Sequence, residues 1–351
     1  MTFIPKPKVH HPDLPRNDLG LTTRDYEGAL STLCAGCGHD SITAAIVQSC
    51  FELSLPPHSV AKTSGIGCSS KTPAYFLGPS HGFNSVHGRM PSITTGANVA
   101  HRGLTYLGVS GDGDTGSIGI GQFIHAMRRN LNMLYIIENN GVYGLTKGQF
   151  SATADIGSTT KKGEANTYMP LDPVLLGIQM GAVFIAQSFS GDKAQLVPLI
   201  KAGLKHKGFS LINVISPCVT FNNHEGSTKS YDYMRDHDEE VTEADYVPHK
   251  QEIAVSMDPG STLDVKLHDG SHILLRKLDK TFDPTDRVRA MNYIEEHKRQ
   301  GEILTGLLYI DSKEWDLHDN LGTVERPLRD LPYAELCPGS KGLATVMDSG
   351  R

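Results

Sequence analysis

Between about residues 35 and 216, short apolar segments rich in β-branched residues alternate with segments of helical periodicity, and few folds accommodate that alternation. Thr105–Ser110, Met133–Ile137, Ala182–Ala186 and Leu211–Ile215 have the length and composition of buried strands. Between them run helical stripes. Ile42, Ile46, Cys50 and Leu53 share one face of a helix that Asp40 is placed to cap. Ile120, Phe123, Ile124 and Met127 fall at i, i+3, i+4 and i+7 of another. The pattern predicts an α/β fold, a doubly wound parallel sheet with helices on both faces. Ligands of such sheets lie beyond the carboxyl ends of the strands, so the turns that follow strands are where chemistry is expected.

The flanks read differently. Residues 1–24, rich in Pro, Lys and Asp, form an N-terminal arm, and 25–230 form the α/β domain. Residues 231–351 read as a C-terminal extension without catalytic residues. In it Leu263–Leu267 and Ile273–Leu278 suggest a hairpin about Asp269-Gly270, and Asp283-Pro284 opens a charged helix to about residue 300. With 38% apolar and 21% charged residues, the 351-residue chain can bury a sizeable core. A net charge of -6 argues against nucleic acid or an acidic membrane surface as partner. No apolar run approaches the roughly 18 residues of a membrane span, and the opening lacks a signal core. A cytoplasmic location is the expectation.

Two of the post-strand turns carry one constellation. Gly111-Asp112-Gly113-Asp114 ends the first strand named above, and Asn140 follows Asp112 by 28 residues within Glu138-Asn139-Asn140-Gly141-Val142-Tyr143-Gly144. Magnesium takes a nearly octahedral shell of oxygens and commonly shares it with phosphates. Asp112 offers a carboxylate oxygen, Asn140 an amide oxygen and Val142 its carbonyl. The glycines let backbone approach the phosphates, and the helix expected from about Thr115 turns its N–H groups toward them.

Six cysteines stand at 34, 37, 50, 68, 218 and 337. Cys34-Ala35-Gly36-Cys37-Gly38-His39 lacks the histidine directly after the second cysteine that a haem site needs. Cys68 and Cys218 each follow an apolar strand candidate and could converge on the sheet edge that holds the phosphate turns. From spacing alone, a tetrahedral zinc site on Cys34, Cys37 and two more thiolates or His39 and a four-iron cluster on Cys34, Cys37, Cys68 and Cys218 fit equally well. Cys50, on a helical stripe, reads as a buried structural thiol, and Cys337 has no partner pattern.

Gly-Asp-Gly with Asn-Asn at this spacing resembles the signature of thiamine-diphosphate enzymes. The continuation Gly-Leu-Thr-Lys-Gly-Gln at 144–149 narrows the resemblance to β subunits of 2-oxoacid:ferredoxin oxidoreductases. The resemblance implies that Asp112, Asn140 and Val142 hold magnesium and that Gly113, Asp114, Gly144 and Leu145 line the diphosphate of thiamine diphosphate. It implies that Ile66, Gly67, Cys68, Ser69 and His87 border the rest of the cofactor, and that Cys34, Cys37, Cys68 and Cys218 hold a [4Fe–4S] cluster. The expected reaction is oxidative decarboxylation of a 2-oxoacid with coenzyme A, electrons leaving to ferredoxin. His87 and Lys147 are candidate catalytic contacts, Lys147 as the cation that would meet a second carboxylate and favour 2-oxoglutarate. The chain offers no second α/β unit to carry the activating glutamate, so an α subunit is expected to supply it, in an assembly of two α and two β chains. Two rivals remain: a non-oxidative thiamine-diphosphate decarboxylase or synthase, which leaves the cysteines without work, and a zinc or iron–sulfur module, which leaves the magnesium constellation unexplained.

Overall fold

The computed structural model describes residues 11–159, 163–248, 262–312, 315–337 and 339–350. The first ten residues of the expected arm lie outside them. In chain order the main elements are α1 (Gly38–Glu52), β1 (Val60–Ser64), β2 (His81–Asn84), α2 (Met90–Ala100), β3 (Thr105–Gly111), α3 (Ile120–Arg128) and β4 (Met133–Asn139). There follow β5 (Val142–Tyr143), β6 (Gln149–Phe150), α4 (Pro173–Met180), β7 (Phe184–Phe189), α5 (Lys193–Lys205), β8 (Phe209–Ile215), α6 (Tyr231–His237) and β9 (Asp238–Glu240). The chain continues through β10 (Thr242–Val247), β11 (Thr262–Lys266), β12 (His272–Lys277), α7 (Arg287–Arg299) and β13 (Ile303–Ile310). It closes with α8 (Leu317–Leu321), α9 (Tyr333–Leu336) and α10 (Gly339–Ser349).

One eight-stranded sheet has the order β2-β1-β3-β4-β8-β7-β13-β9. The strands from β2 to β7 are parallel, and β13 joins β7 antiparallel. Both faces are covered, which is why the central strands are apolar throughout rather than alternating. Along β4, Leu134 and Ile136 enter one core, while Met133, Tyr135 and Ile137 enter the other. The first core is closed by α1 and α5 and by a small antiparallel sheet, β10-β12-β11. The second is closed by α2, α3, α4 and α7. No helix of the described residues is long and apolar enough to cross a membrane.

Three expectations need correction, while the hairpin is met. The extension is not a separate appendage, because β13 is an apolar strand of the main sheet whose Leu307 and Leu308 point into opposite cores. The expected hairpin is present as β11 and β12, with β10 as a third strand. Asp40 does not cap α1: the helix begins at Gly38 with Cys37 as cap, and Asp40 lies in its first turn, where a carboxylate complements the helix dipole. The helix after Gly111 is broken into a wide turn, Asp114–Ile118, and then α3, because Gly119 bonds back to the Asp114 carbonyl.

Candidate functional site

The carboxyl ends of β1, β3, β4 and β8 lie side by side, and the turns after the first three line one cavity of about 170 Å³. Ile66, Gly67, Cys68 and Ser69 line it from the turn after β1, His87 from the turn after β2, and Asp112, Gly113 and Asp114 from the turn after β3. Asn140, Val142, Gly144 and Leu145 contribute from the turn after β4. Every residue expected to touch the cofactor or its metal therefore borders the same space. Lys147 does not: it is exposed at the tip of the β5–β6 turn with φ +80°, held by its N–H to the Gly144 carbonyl.

Asp112 is buried and firmly held. One carboxylate oxygen accepts from Thr153 Oγ1 at 2.6 Å and from Ser151 Oγ, and the other from the Asn140 N–H at 3.3 Å. Burial raises its pKa, opposed by those two hydroxyls and that N–H. Asn140 closes a turn by accepting the Val142 N–H on Oδ1 at 3.1 Å, which sets its amide beside Asp112. Asp114 borders the cavity, yet its oxygens are engaged by the Gly88 N–H at 2.8 Å and Ser110 Oγ at 3.0 Å. Its work is to fix the turn that carries His87.

Two glycines make room. A Cβ on Gly113 would lie 2.4 Å from the Tyr143 ring, so only glycine lets backbone pass there. A Cβ on Gly144 would lie 3.4 Å from the Cys68 sulfur and 3.7 Å from that of Cys218, which places both thiols around one point next to the cavity. Cys34 joins them through Thr220 Oγ1, two residues past Cys218, at 3.3 Å from its sulfur. Cys37 follows, its N–H on the Cys34 carbonyl. Burial pushes the Cys37 thiol up to about 12, with Glu138 and Cys218 adding to the rise. Burial also raises Cys68, with further contributions from Cys218 and Cys34. Among the described residues no three His, Cys, Asp or Glu side chains stand close enough together to hold a single metal ion. Cys50 is fully buried in α1, its thiol also pushed up to about 12 by burial.

Sequence reasoning missed the link between the two centres. His39, fully buried, contacts Ser216 Oγ at 2.6 Å through Nδ1, while its Nε2 is 3.5 Å from the Asn140 amide nitrogen. Glu138 lies 3.6 Å from Nδ1. Burial lowers His39 to about 4 and raises Glu138 well above the ordinary value for a glutamate. Neither Glu138 oxygen has a hydrogen-bond partner, the nearby Thr72 hydroxyl being spent on the Ser69 carbonyl. Only their positions inside the quoted motifs hinted at them.

These residues fit the implied groups. A buried, oriented carboxylate beside an amide oxygen suits magnesium, glycine-lined backbone suits a diphosphate, and the convergent thiols suit a cluster. Residues 65–214 match the C-terminal TPP-binding domain of thiamine pyrophosphate enzymes. The chain is 41% identical over 199 residues to a 2-oxoacid:ferredoxin oxidoreductase subunit beta of Saccharolobus solfataricus, covering 56% of this chain and 65% of that one. It is 36% identical over 256 residues to the subunit beta of a Sulfolobus species, covering 73% and 78%. Against 2-oxoglutarate oxidoreductase subunit KorB of Mycobacterium tuberculosis it is 39% identical over 190 residues, covering 54% and 50%. The matches thus span from half to about four fifths of these relatives' own length. Among solved structures, 2-oxoglutarate:ferredoxin oxidoreductase from Magnetococcus marinus, with 2-oxoglutarate, coenzyme A and succinyl-CoA bound, superposes with a TM-score of 0.68 at 32% identity, over 86% of this chain and 89% of that one.

Proposed function

Because this chain belongs to the family of 2-oxoacid:ferredoxin oxidoreductase β subunits, we propose that it forms the cofactor-binding half of an enzyme that oxidatively decarboxylates a 2-oxoacid, 2-oxoglutarate by preference, to an acyl-CoA. The observation that carries the reading is the meeting of Asp112, Asn140 and Val142 in one cavity, with the Cys68 and Cys218 sulfurs beside Gly144 at its edge. When bound, thiamine diphosphate with magnesium supplies the electron sink for loss of carbon dioxide, and a [4Fe–4S] cluster supplies the one-electron path to ferredoxin.

The chain's own residues do the rest. Asp112, Asn140 and the Val142 carbonyl hold magnesium, and Ser151 and Thr153 keep the carboxylate turned toward it. Gly113 and Gly144 open the backbone to the diphosphate. Cys34, Cys37, Cys68 and Cys218 would ligate the cluster, and buried His39 and Glu138 adjoin the metal loop at Asn140. His87 stands at the mouth, and Lys147 at the hairpin tip is the cation for a second substrate carboxylate.

The mouth itself supports a partner. Val86, Ile118 and Leu145 are 69%, 47% and 52% exposed around it, and the described residues contain no second α/β unit. An α subunit would cover these side chains and bring the activating glutamate, in a cytoplasmic assembly of two α and two β chains. The test is anaerobic co-expression with the α subunit. The purified complex should be brown, contain thiamine diphosphate, and reduce ferredoxin with 2-oxoglutarate and coenzyme A faster than with pyruvate. A colourless complex without the cofactor would overturn the reading.

A further inference from the structure

Cys218 opens a segment that continues Val219-Thr220-Phe221-Asn222-Asn223-His224 and runs on to Lys229, and nothing above assigns work to its second half. Two of its buried side chains reach the loop expected to hold the metal. Asn222, 3% exposed, donates from Nδ2 to the Asn140 carbonyl at 2.7 Å, while its own N–H bonds the Cys218 carbonyl at 2.8 Å. Lys229, 7% exposed, lays its stem beneath Gly141: a Cβ there would stand 3.1 Å from the Lys229 Cδ. Gly141 has φ +72°, so the position is closed to other residues both by conformation and by this side chain. The Lys229 ammonium is anchored 2.7 Å from Asp155 Oδ2, which Thr228 Oγ1 also approaches at 2.5 Å. On the opposite side of the loop, Ser151 N–H holds the Gly141 carbonyl at 3.0 Å.

The three residues that present Asn140 Oδ1 and the Val142 carbonyl are therefore gripped from behind by the same segment that carries a cluster cysteine. From this juxtaposition we infer that Cys218–Lys229 is a brace between the thiolate centre and the magnesium loop, with Asn222 and Lys229 as positioning residues for the metal. The inference rests on the reading of Asp112, Asn140 and Val142 as magnesium ligands. Neither side chain touches the metal or cofactor; each sets the backbone that does. A lysine is needed because a long apolar stem must fill the space under a glycine while its charged end finds a carboxylate. An asparagine is needed because the carbonyl of a metal loop requires a donor that adds no charge beside the ion.

The experiment titrates magnesium into the metal-stripped αβ complex at fixed thiamine diphosphate, following cofactor binding by quenching of protein fluorescence, with iron content measured on the same samples. Asn222→Ala and Lys229→Met each should raise the magnesium concentration for half-saturation about tenfold, the usual effect of losing a residue that orients a ligand. Iron content and cofactor binding at saturating magnesium should stay as in the unaltered complex. Lys229→Arg, which keeps the charge for Asp155, should recover most of the shift. An unshifted midpoint in both variants, or a loss of iron and of binding at every magnesium concentration, overturns the brace. If the unaltered complex binds thiamine diphosphate without magnesium, the metal site itself fails, and that outcome is read from the unaltered protein alone.

Discussion

The two ends of the site are built on opposite principles. At the metal end a carboxylate is already oriented by two hydroxyls and an N–H before any ion arrives. At the thiolate end burial pushes the Cys37 thiol up to about 12 and raises Cys68, and Cys34 remains exposed. The metal end is preorganised for a hard cation, so binding requires little rearrangement. On the proposed reading, the thiolate end is organised in space but not in charge, and a cluster would have to displace protons to form. One sheet edge would then hold a centre that loads reversibly beside one that assembles once.

Separating the two ends gives the largest expected effects. Asp112→Ala should abolish thiamine diphosphate binding while iron content stays near that of the unaltered protein; Cys37→Ser should do the reverse, losing the brown colour and keeping the cofactor. Simultaneous loss of both groups in either variant would merge the two ends into one structural unit. Reconstitution of the cluster should next show a pH dependence. Ligation needs thiolates, Cys37 and Cys68 are raised by burial, and the yield at fixed iron and sulfide should therefore climb as pH rises from 7 toward 9. A flat profile would show that the thiols are not held protonated.

Smaller effects sharpen the link between the ends. Glu138 is buried with neither oxygen hydrogen-bonded, and burial raises its pKa, so Glu138→Gln should keep turnover within a few-fold. General acid–base groups contribute about 10² to 10⁴ in rate; a loss of that size would locate the activating acid in this chain instead of the α subunit. Lys147→Ala should raise KM for 2-oxoglutarate about fivefold and leave pyruvate unchanged, the scale of one exposed ion pair. Equal losses would remove it as a selector. A control lies far from both ends. Asp238, on edge strand β9, is raised to about 6 by burial, with Thr305 opposing and Asp192, Glu240 and Glu239 reinforcing. A raised folded-state pKa means that stability is lost as pH climbs from about 4 to 6 and stays lower above. Asp238→Asn should then stabilise by about 1 kcal/mol at pH 7, after allowance for solvent screening, and by little at pH 4, read from denaturant midpoints.

What the sequence disclosed follows from locality. Strand ends and the turns after them are contiguous in the chain, so Asp112, Asn140 and Cys218 could be placed without coordinates, and a sheet covered on both faces leaves continuous apolar runs. Elements that depend on distant packing were hidden. α2 is written with Pro91, Thr94, Thr95 and Gly96, poor helix formers, and is held instead by burying Met90, Thr94 and Asn98 along one face. β13 is separated from its neighbour β7 by more than a hundred residues, and its membership of the sheet had no local signal. The same holds for Ser151 and Thr153 behind Asp112, and for Asn222 and Lys229 behind Gly141. A serine or lysine reveals its purpose only when the fold has set it against a particular oxygen or glycine.

Anomalous diffraction from crystals of the αβ complex grown with thiamine diphosphate, with manganese in magnesium's place, tests the core claim most directly. Apart from the iron peaks at the cysteines, the account predicts one manganese peak per β chain, identified by its change across the manganese edge, in contact with an Asp112 carboxylate oxygen, the Asn140 amide oxygen and the Val142 carbonyl at distances slightly above the ~2.1 Å of magnesium. A manganese peak bound elsewhere, or a cofactor seated with Asp112 and Asn140 too far apart to share an ion, would contradict it.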